Sequence, residues 1–334
     1  MSIRIGVVGM GFMGQTHARA VGTVPGARLA ATCDHQGERR RGSGSVAGNL
    51  NTGGAFDAGE AVAFERPDDL FASGLVDAAV IATPTDTHVD LATRALRAGL
   101  DVLVEKPVAL HAEQIAALIE ERDRARRLAI PAMCMRFWPG WPLLREVVRD
   151  GRFGALRALR LARLGSRPEW SDFYRDESRC GGAIFDLHVH DADFVLHLLG
   201  RPREVVCVGT HDHVAAMYRY DDTAMVVLAE GGWMPSSGRG FRMRYGAEFE
   251  RATIEFDLSR TPTVAVTSDG QTTSPDLPAG SGYELQMAHF VACVQARREG
   301  RPVPEHPTLE DSVAVTTMIH AKRESLRRGA GFAL

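Results

Sequence analysis

The chain has 334 residues, 45% of them hydrophobic, which suits a soluble globular protein of two domains better than one. Lys and Arg (39) nearly balance Asp and Glu (42), and a net charge of -3 makes no electrostatic case for nucleic acid or an anionic membrane as partner. No apolar run is long enough to span a membrane, the first residues lead straight into a strand with no secretory leader, and five scattered cysteines lack CxxC spacing; a reduced, cytoplasmic protein is expected.

Ile3 to Val8 is an apolar run interrupted only by Arg4, the pattern of a strand covered on both faces. It ends in Gly9-x-Gly11-x-x-Gly14, with Phe12 and Met13 between the last two glycines, and a helix is expected from Gln15 to Val21. Gly9 suits a tight turn, Gly11 a close approach by a pyrophosphate, and Gly14 close packing of helix on strand. The helix N-terminus then offers N–H groups to phosphate oxygens. A lone motif of this kind is weak evidence; its place between a strand and a helix is what points to a dinucleotide. The second strand, Arg28 to Cys33, leads to Asp34, twenty positions after Gly14, where a carboxylate can accept from the adenosine ribose and repel a 2′-phosphate. NAD is therefore expected over NADP, although Arg39, Arg40 and Arg41 keep NADP open. Residues 42–59 hold many glycines and read as a loop insertion.

A short strand is expected at 61–64, a buried strand at Val76 to Ala82, the turn Thr83-Pro84-Thr85-Asp86-Thr87-His88, a helix to Ala98, and a strand at Asp101 to Glu105 stopped by Lys106-Pro107. This alternation indicates a doubly wound parallel sheet whose ligands gather at the carboxyl ends of the strands. After a helix at 111–128 the pattern changes near Pro131. The second half reads as α+β with a largely antiparallel open sheet: helices at 141–150, 183–199, 283–299 and 309–327, with strands at 155–164, 204–209, 217–220, 224–230, 241–245, 252–256 and 263–266. The domains are expected at 1–131, binding dinucleotide, and 132–334, binding substrate and forming oligomers.

Two places carry candidate chemistry. Lys106, at a strand end on the ligand edge of the sheet, can stabilise negative charge on a substrate oxygen, though most lysines are simply solvated. Asp186 and His190 stand four apart on one expected helix, where a carboxylate can orient an imidazole acting as a base; a surface ion pair is the commoner meaning of that spacing. His188 and His190 would share a face only on a strand, so no metal site is expected. Trp170, Phe173 and Tyr174 could wall a pocket or pack an interface.

Gly9-x-Gly11-x-x-Gly14, Glu105-Lys106-Pro107 and Gly181-Gly182 before Asp186-x-x-x-His190-Asp191 together resemble the glucose–fructose oxidoreductase / inositol dehydrogenase / rhizopine-catabolism family. The resemblance implies a Rossmann domain followed by a substrate domain, with hydride moved between a secondary alcohol of a sugar, inositol or related polyol and NAD. It implies that Lys106 contacts the reacting hydroxyl, that His190 removes its proton and that Asp186 orients the reacting groups. It implies cofactor contacts at Thr83, Pro84, Thr85, His88, Glu105 and Lys106 beside the glycine motif, Asp34 and His35, substrate contacts at Arg136 and Trp170, and dimers or tetramers built on the second sheet. The rivals are an NADP-dependent sugar ketone or imine reductase and a non-catalytic protein that senses dinucleotide or sugar.

Overall fold

Ile3, Ile5, Val7 and Val8 are at most 2% exposed, so β1 (Ile3–Val8) is covered on both faces, as its apolar run requires. It belongs to a six-stranded parallel sheet ordered β3-β2-β1-β4-β5-β6, with β2 (Ala27–Cys33), β3 (Val62–Phe64), β4 (Ala78–Ile81), β5 (Asp101–Val104) and β6 (Ala129–Pro131). The connecting helices are α1 (Phe12–Thr23), α2 (Gly37–Arg41), α3 (Pro67–Ala72), α4 (His88–Arg97) and α5 (Ala112–Ala125). This is the doubly wound sheet expected, and the strand order reverses between β1 and β4, where such sheets bind ligands. Helix α3 was not read from the sequence, although Pro67 at its first position and Asp68 and Asp69 in its first turn are start signals. The computed structural model describes residues 2–42, 46, 48, 50, 56–235 and 240–334; most of the glycine-rich stretch 42–59 lies outside them.

The chain divides into two units, Met1–Cys134 with Ser281–Val313, and Met135–Gly280 with Ala314–Leu334. The expected boundary near Pro131 lies close to the first crossing, but assigning everything after it to the second domain needs correction. Helix Gly282–Arg298 returns to the first unit. Its Met287, Phe290, Val291 and Val294 join the core that holds Ile3, Ile5, Val7 and Val21, and each such side chain contributes roughly 1.5–3 kcal/mol of burial. Arg297 adds a hydrogen bond of 2.8 Å to the buried Asp101 at the start of β5. A returning helix satisfies a sheet face that local helices leave bare, and reading in chain order cannot detect that.

The second unit contains α6 (Trp141–Asp150), β7 (Leu156–Ser166), α7 (Glu177–Cys180), α8 (Ala183–Asp186), α9 (His188–Leu199), β8 (Glu204–Gly209), β9 (His213–Arg219), β10 (Val226–Met234), β11 (Arg242–Phe249), β12 (Ala252–Asp257), β13 (Val264–Ser268), β14 (Gln271–Thr273) and β15 (Phe332–Ala333), together with most of helix Leu309–Arg328. The sheet order is β14-β13-β12-β11-β7-β10-β9-β8-β15, antiparallel among the described residues except between β7 and β10. Trp141, wholly buried, meets Phe194 of α9, Tyr245 of β11 and Phe256 of β12 edge-on at 4.6, 5.3 and 5.9 Å.

This unit also buries charged groups. Arg163 and Asp191, each at most 2% exposed, pair at 2.9 Å. Lys322, wholly buried, donates to the Tyr218 hydroxyl at 2.6 Å and lies 4.7 Å from the centre of that ring. Burial lowers the Lys322 ammonium to about 7, with Cys207 and Asp191 offsetting only part of the effect. The folded value is thus below the unfolded value of about 10.4. Between the two, the unfolded chain holds a proton that the folded chain does not, so this group favours folding increasingly as pH rises from about 7 toward 10. Urea unfolding between pH 7 and 8, below the range in which the buried thiols add an opposite dependence, is expected to show a stability gain with pH that is smaller in Lys322→Met than in the wild type; equal slopes would contradict a proton lost on folding at this site.

Candidate active site

In the first unit the glycine motif forms a turn pressed between two strand ends. Gly9 has φ +88°, and a Cβ there would come within 2.6 Å of the Ala82 carbonyl oxygen and 2.8 Å of Thr83 Cγ2. A Cβ on Gly14 would overlap the Gly9 carbonyl oxygen, so helix and turn touch backbone to backbone. Gly11 differs: a Cβ there would meet nothing within 4 Å. It is the N-cap of α1, and no side chain caps the amides that follow. An unhindered backbone at a helix N-terminus with uncapped donors fits a pyrophosphate. Phe12 and Met13, half-buried, form the first turn of that helix.

Asp34, 7% exposed, does more than await a ribose. Its Oδ2 accepts from the Met10 amide and its Oδ1 from the Gln36 amide, both at 2.8 Å. The carboxylate therefore ties the end of β2 to the glycine turn and still has lone pairs for hydroxyl donors. His35 is exposed, with Nδ1 3.3 Å from Asp34 Oδ1. Arg40 donates to the Asp34 carbonyl at 3.1 Å and lies 3.4 Å from Glu65.

At the end of β4, the Thr87 hydroxyl donates to the Pro84 carbonyl at 2.7 Å and so accepts from Thr83, also at 2.7 Å. Thr83 keeps acceptor capacity, Pro84 is exposed, and Thr85 is buried within the turn. His88 is expected as a cofactor contact. It is buried, with Nδ1 2.9 Å from the Pro107 carbonyl and Nε2 2.8 Å from that of Thr83. A neutral imidazole donates to one of these two carbonyls, and the ring packs between the Thr83 turn and the Lys106-Pro107 turn. Burial is the main influence on this imidazole and lowers its pKa, against its hydrogen bonds to Thr83 and Pro107.

Glu105 is likewise buried rather than presented to a ribose. Its Oε1 is 2.6 Å from His17 Nε2, and its Oε2 accepts from the Lys106 amide at 3.0 Å. Burial would raise this carboxyl, but the hydrogen bond from His17, with the charge of Lys106 beside it, outweighs that, and it stays below its ordinary value. Lys106 itself is half-buried at the turn after β5. His17 was missed by sequence reading. The available signal was its place three residues after Gly14, on the helix face that must meet the sheet.

In the second unit the expected single helix at 183–199 is two. Helix α8 ends at Asp186, Leu187 breaks the run with φ -98° and ψ -48°, and α9 starts at His188. His188 explains the break: its ring fills the notch over Gly231 of β10, where a Cβ would come within 2.6 Å of His188 Nδ1. His188 is wholly buried with neither ring nitrogen hydrogen-bonded. Among the described residues no group of three or more His, Cys, Asp or Glu side chains could hold a metal ion. Asp186 Oδ2 accepts from the Trp233 indole N–H at 3.3 Å. His190, 9% exposed, sits in the first turn of α9.

Trp233, 3% exposed on β10, is a second residue the sequence reading passed over. The Arg167 guanidinium lies 5.2 Å from its ring centre and Tyr174 meets it edge-on at 6.0 Å. Trp170, at 38% exposure, packs edge-on against Tyr174 at 5.9 Å, at the outer end of this aromatic row. Arg136, expected to contact substrate, is paired with Asp193. Its guanidinium is bidentate to Asp193 at 2.6 and 3.0 Å, with both side chains at most 8% exposed. Such a buried pair holds the start of the unit to α9 and already occupies the guanidinium fork.

Comparison with known proteins follows the same division. Residues 3–132 match the oxidoreductase family with NAD-binding Rossmann fold, and residues 141–254 match the GFO/IDH/MocA C-terminal domain. An inositol 2-dehydrogenase of Rhizobium meliloti is 28% identical over 300 residues, covering 86% of this chain and 82% of its own. The rhizopine catabolism protein MocA of the same species is 28% identical over 329 residues, covering 97% and 95%. The scyllo-inositol dehydrogenase of Lactobacillus casei, solved with bound NAD(H) and scyllo-inositol, shares the fold with TM-score 0.77 at 19% identity, over 100% of this chain and 99% of that one.

The glycines separate folding from binding. Gly14→Ala, with no room for a methyl against the Gly9 carbonyl, is expected to lower the melting temperature by several degrees, whereas Gly11→Ala is expected to melt like the wild type yet bind NADH about tenfold more weakly. Thermal unfolding and NADH fluorescence titration check this; a Gly11→Ala protein with wild-type affinity would contradict a phosphate lying against that backbone.

Proposed function

The chain belongs to the GFO/IDH/MocA oxidoreductase family, and from that premise we propose that it is an NAD-dependent dehydrogenase oxidising a secondary alcohol of an inositol or related sugar polyol. The observation that carries the choice of cofactor is Asp34. Its carboxylate is held by two backbone amides at the end of β2, where it favours ribose hydroxyls and opposes a 2′-phosphate. Arg40, one of the three arginines that could have held that phosphate, is engaged by Glu65 and the Asp34 carbonyl. Support for a polyol comes from relatives named as inositol dehydrogenases.

The glycine turn, the N-terminus of α1, Asp34 and the Thr83 turn would hold the dinucleotide. When bound, its nicotinamide supplies the hydride acceptor. His190 takes the proton of the reacting hydroxyl, a task suited to the ring lone pair of a neutral imidazole. Asp186, one carboxylate oxygen of which accepts from the Trp233 indole N–H, orients the reacting groups beside it. Lys106 donates to the oxygen on which negative charge develops. A panel of inositols and sugars assayed for NAD reduction should reveal the substrate. Lys106→Ala and His190→Ala are each expected to lower kcat on it by about 10²–10⁴-fold, and near-normal turnover in either would remove that residue from the mechanism.

We also propose that the open face of the nine-stranded sheet receives a second copy of the chain. Val206, Val208, Ala215, Met217 and Leu228 line a concavity of about 610 Å³, bordered by Arg160, Glu230, Arg244 and Glu255. Val208 and Leu228 are 66% and 37% exposed. An apolar centre with a rim of both charge signs is the composition of a self-complementary interface. Native mass measurement is expected to show a dimer or tetramer, and Val208→Asp with Leu228→Asp a smaller species; a wild-type monomer at micromolar concentration would refute the assembly.

A further inference from the structure

The reading of Lys106 as the group that meets the reacting oxygen leaves open what fixes a flexible side chain at the end of a short strand. Sheet hydrogen bonds do not extend that far. The Glu105 amide makes the last one, to the Ile81 carbonyl at 2.9 Å. The Lys106 amide turns instead to its neighbour's carboxylate, donating to Glu105 Oε2 at 3.0 Å. The other oxygen of that carboxylate is 2.6 Å from Nε2 of His17, which is wholly buried in the middle of α1. A continuous buried connection thus runs from the helix that begins at the glycine motif, through one carboxylate, to the peptide that carries the lysine.

The chemistry of the pair follows from its surroundings. His17 Nδ1 is buried without a hydrogen-bond partner. An imidazolium would bury an orphaned N–H there together with its charge; the neutral ring with its hydrogen on Nε2 leaves only an unmet lone pair, which costs less. His17 therefore acts as a neutral donor to an ionised Glu105, and the negative charge remains beside Lys106. On the far side of the turn His88 bridges the Pro107 and Thr83 carbonyls. Lys106 thus stands between two histidine braces.

We propose that His17 is a positioning residue for Lys106, acting through the buried Glu105 carboxylate and locking the cofactor-binding helix and the lysine-bearing strand end into one piece. This rests on the assignment of Lys106 made above. A brace of this kind places the lysine correctly only while α1 is seated, so helix placement and lysine placement are a single event.

His17→Leu removes the donor, whereas His17→Gln returns an amide nitrogen near the position of Nε2. On the full-length enzyme His17→Leu is expected to lower kcat by about 10–100-fold while the KM for NAD moves less than about threefold, and His17→Gln to recover most of the loss. Turnover by His17→Leu within about threefold of wild type, or a His17→Gln enzyme as impaired as His17→Leu, overturns the proposal. If the wild type oxidises no polyol, the proposed function fails, and infrared difference spectra against Glu105→Gln still decide the brace. At neutral pH a protonated Glu105 carboxyl band present in His17→Leu but absent from wild type and His17→Gln supports it, and no band in His17→Leu overturns it. Should His17→Leu not fold, His17→Asn, whose amide nitrogen falls near Nδ1 and leaves the Nε2 position empty, is judged by the same criteria.

Discussion

A helix starts where α1 starts only because position 14 has no side chain. The backbone of Gly14 rests on the Gly9 carbonyl, and that contact sets the distance between α1 and the parallel sheet. Other features of the first unit follow from it. The N-terminus of α1 opens at Gly11, where space is free, and His17 falls opposite the end of β5. Asp34 reaches the Met10 amide from the next strand. Backbone packing at one glycine thus aligns the donors and acceptors of three strand ends.

The buried polar groups of this unit act mainly on one another. Asp34, His88 and Glu105, each expected as a cofactor contact, all brace the backbone. For Asp34 the two roles are compatible, because a carboxylate has more lone pairs than two amides consume. A site that holds small groups in fixed geometry needs a supporting layer at least as well hydrogen-bonded as the contacting one.

The second unit reaches the same end with a strand as platform. On β10, Gly231 makes room for His188, and Trp233 two positions on holds Asp186. Both face one side of the sheet because strand side chains alternate. The charged pairs Arg163–Asp191 and Arg136–Asp193 fasten α9 to β7 and to the start of the unit. Single buried pairs of this kind add little net stability relative to apolar packing but penalise any other arrangement strongly, which suits an element carrying His190.

Periodicity and glycine spacing were enough to establish the parallel sheet and the separate antiparallel half, because each of these is written in local patterns of two, three or four residues; the family followed from the resemblance of three motifs taken together. The positions of Gly9, Gly11, Gly14 and Asp34 are as their spacing implied, since that spacing is itself a statement about backbone geometry. The return of helix 282–298 to the first unit, the break at Leu187, the engagement of Arg136 by Asp193, and the partnership of His17 with Glu105 were decided by tertiary structure alone. Each joins groups far apart in the chain, or depends on which neighbour fills a notch such as that over Gly231. Local sequence records what a residue can offer; the fold determines which partner takes up the offer, because a buried donor or acceptor must be matched by whatever lies nearest in space.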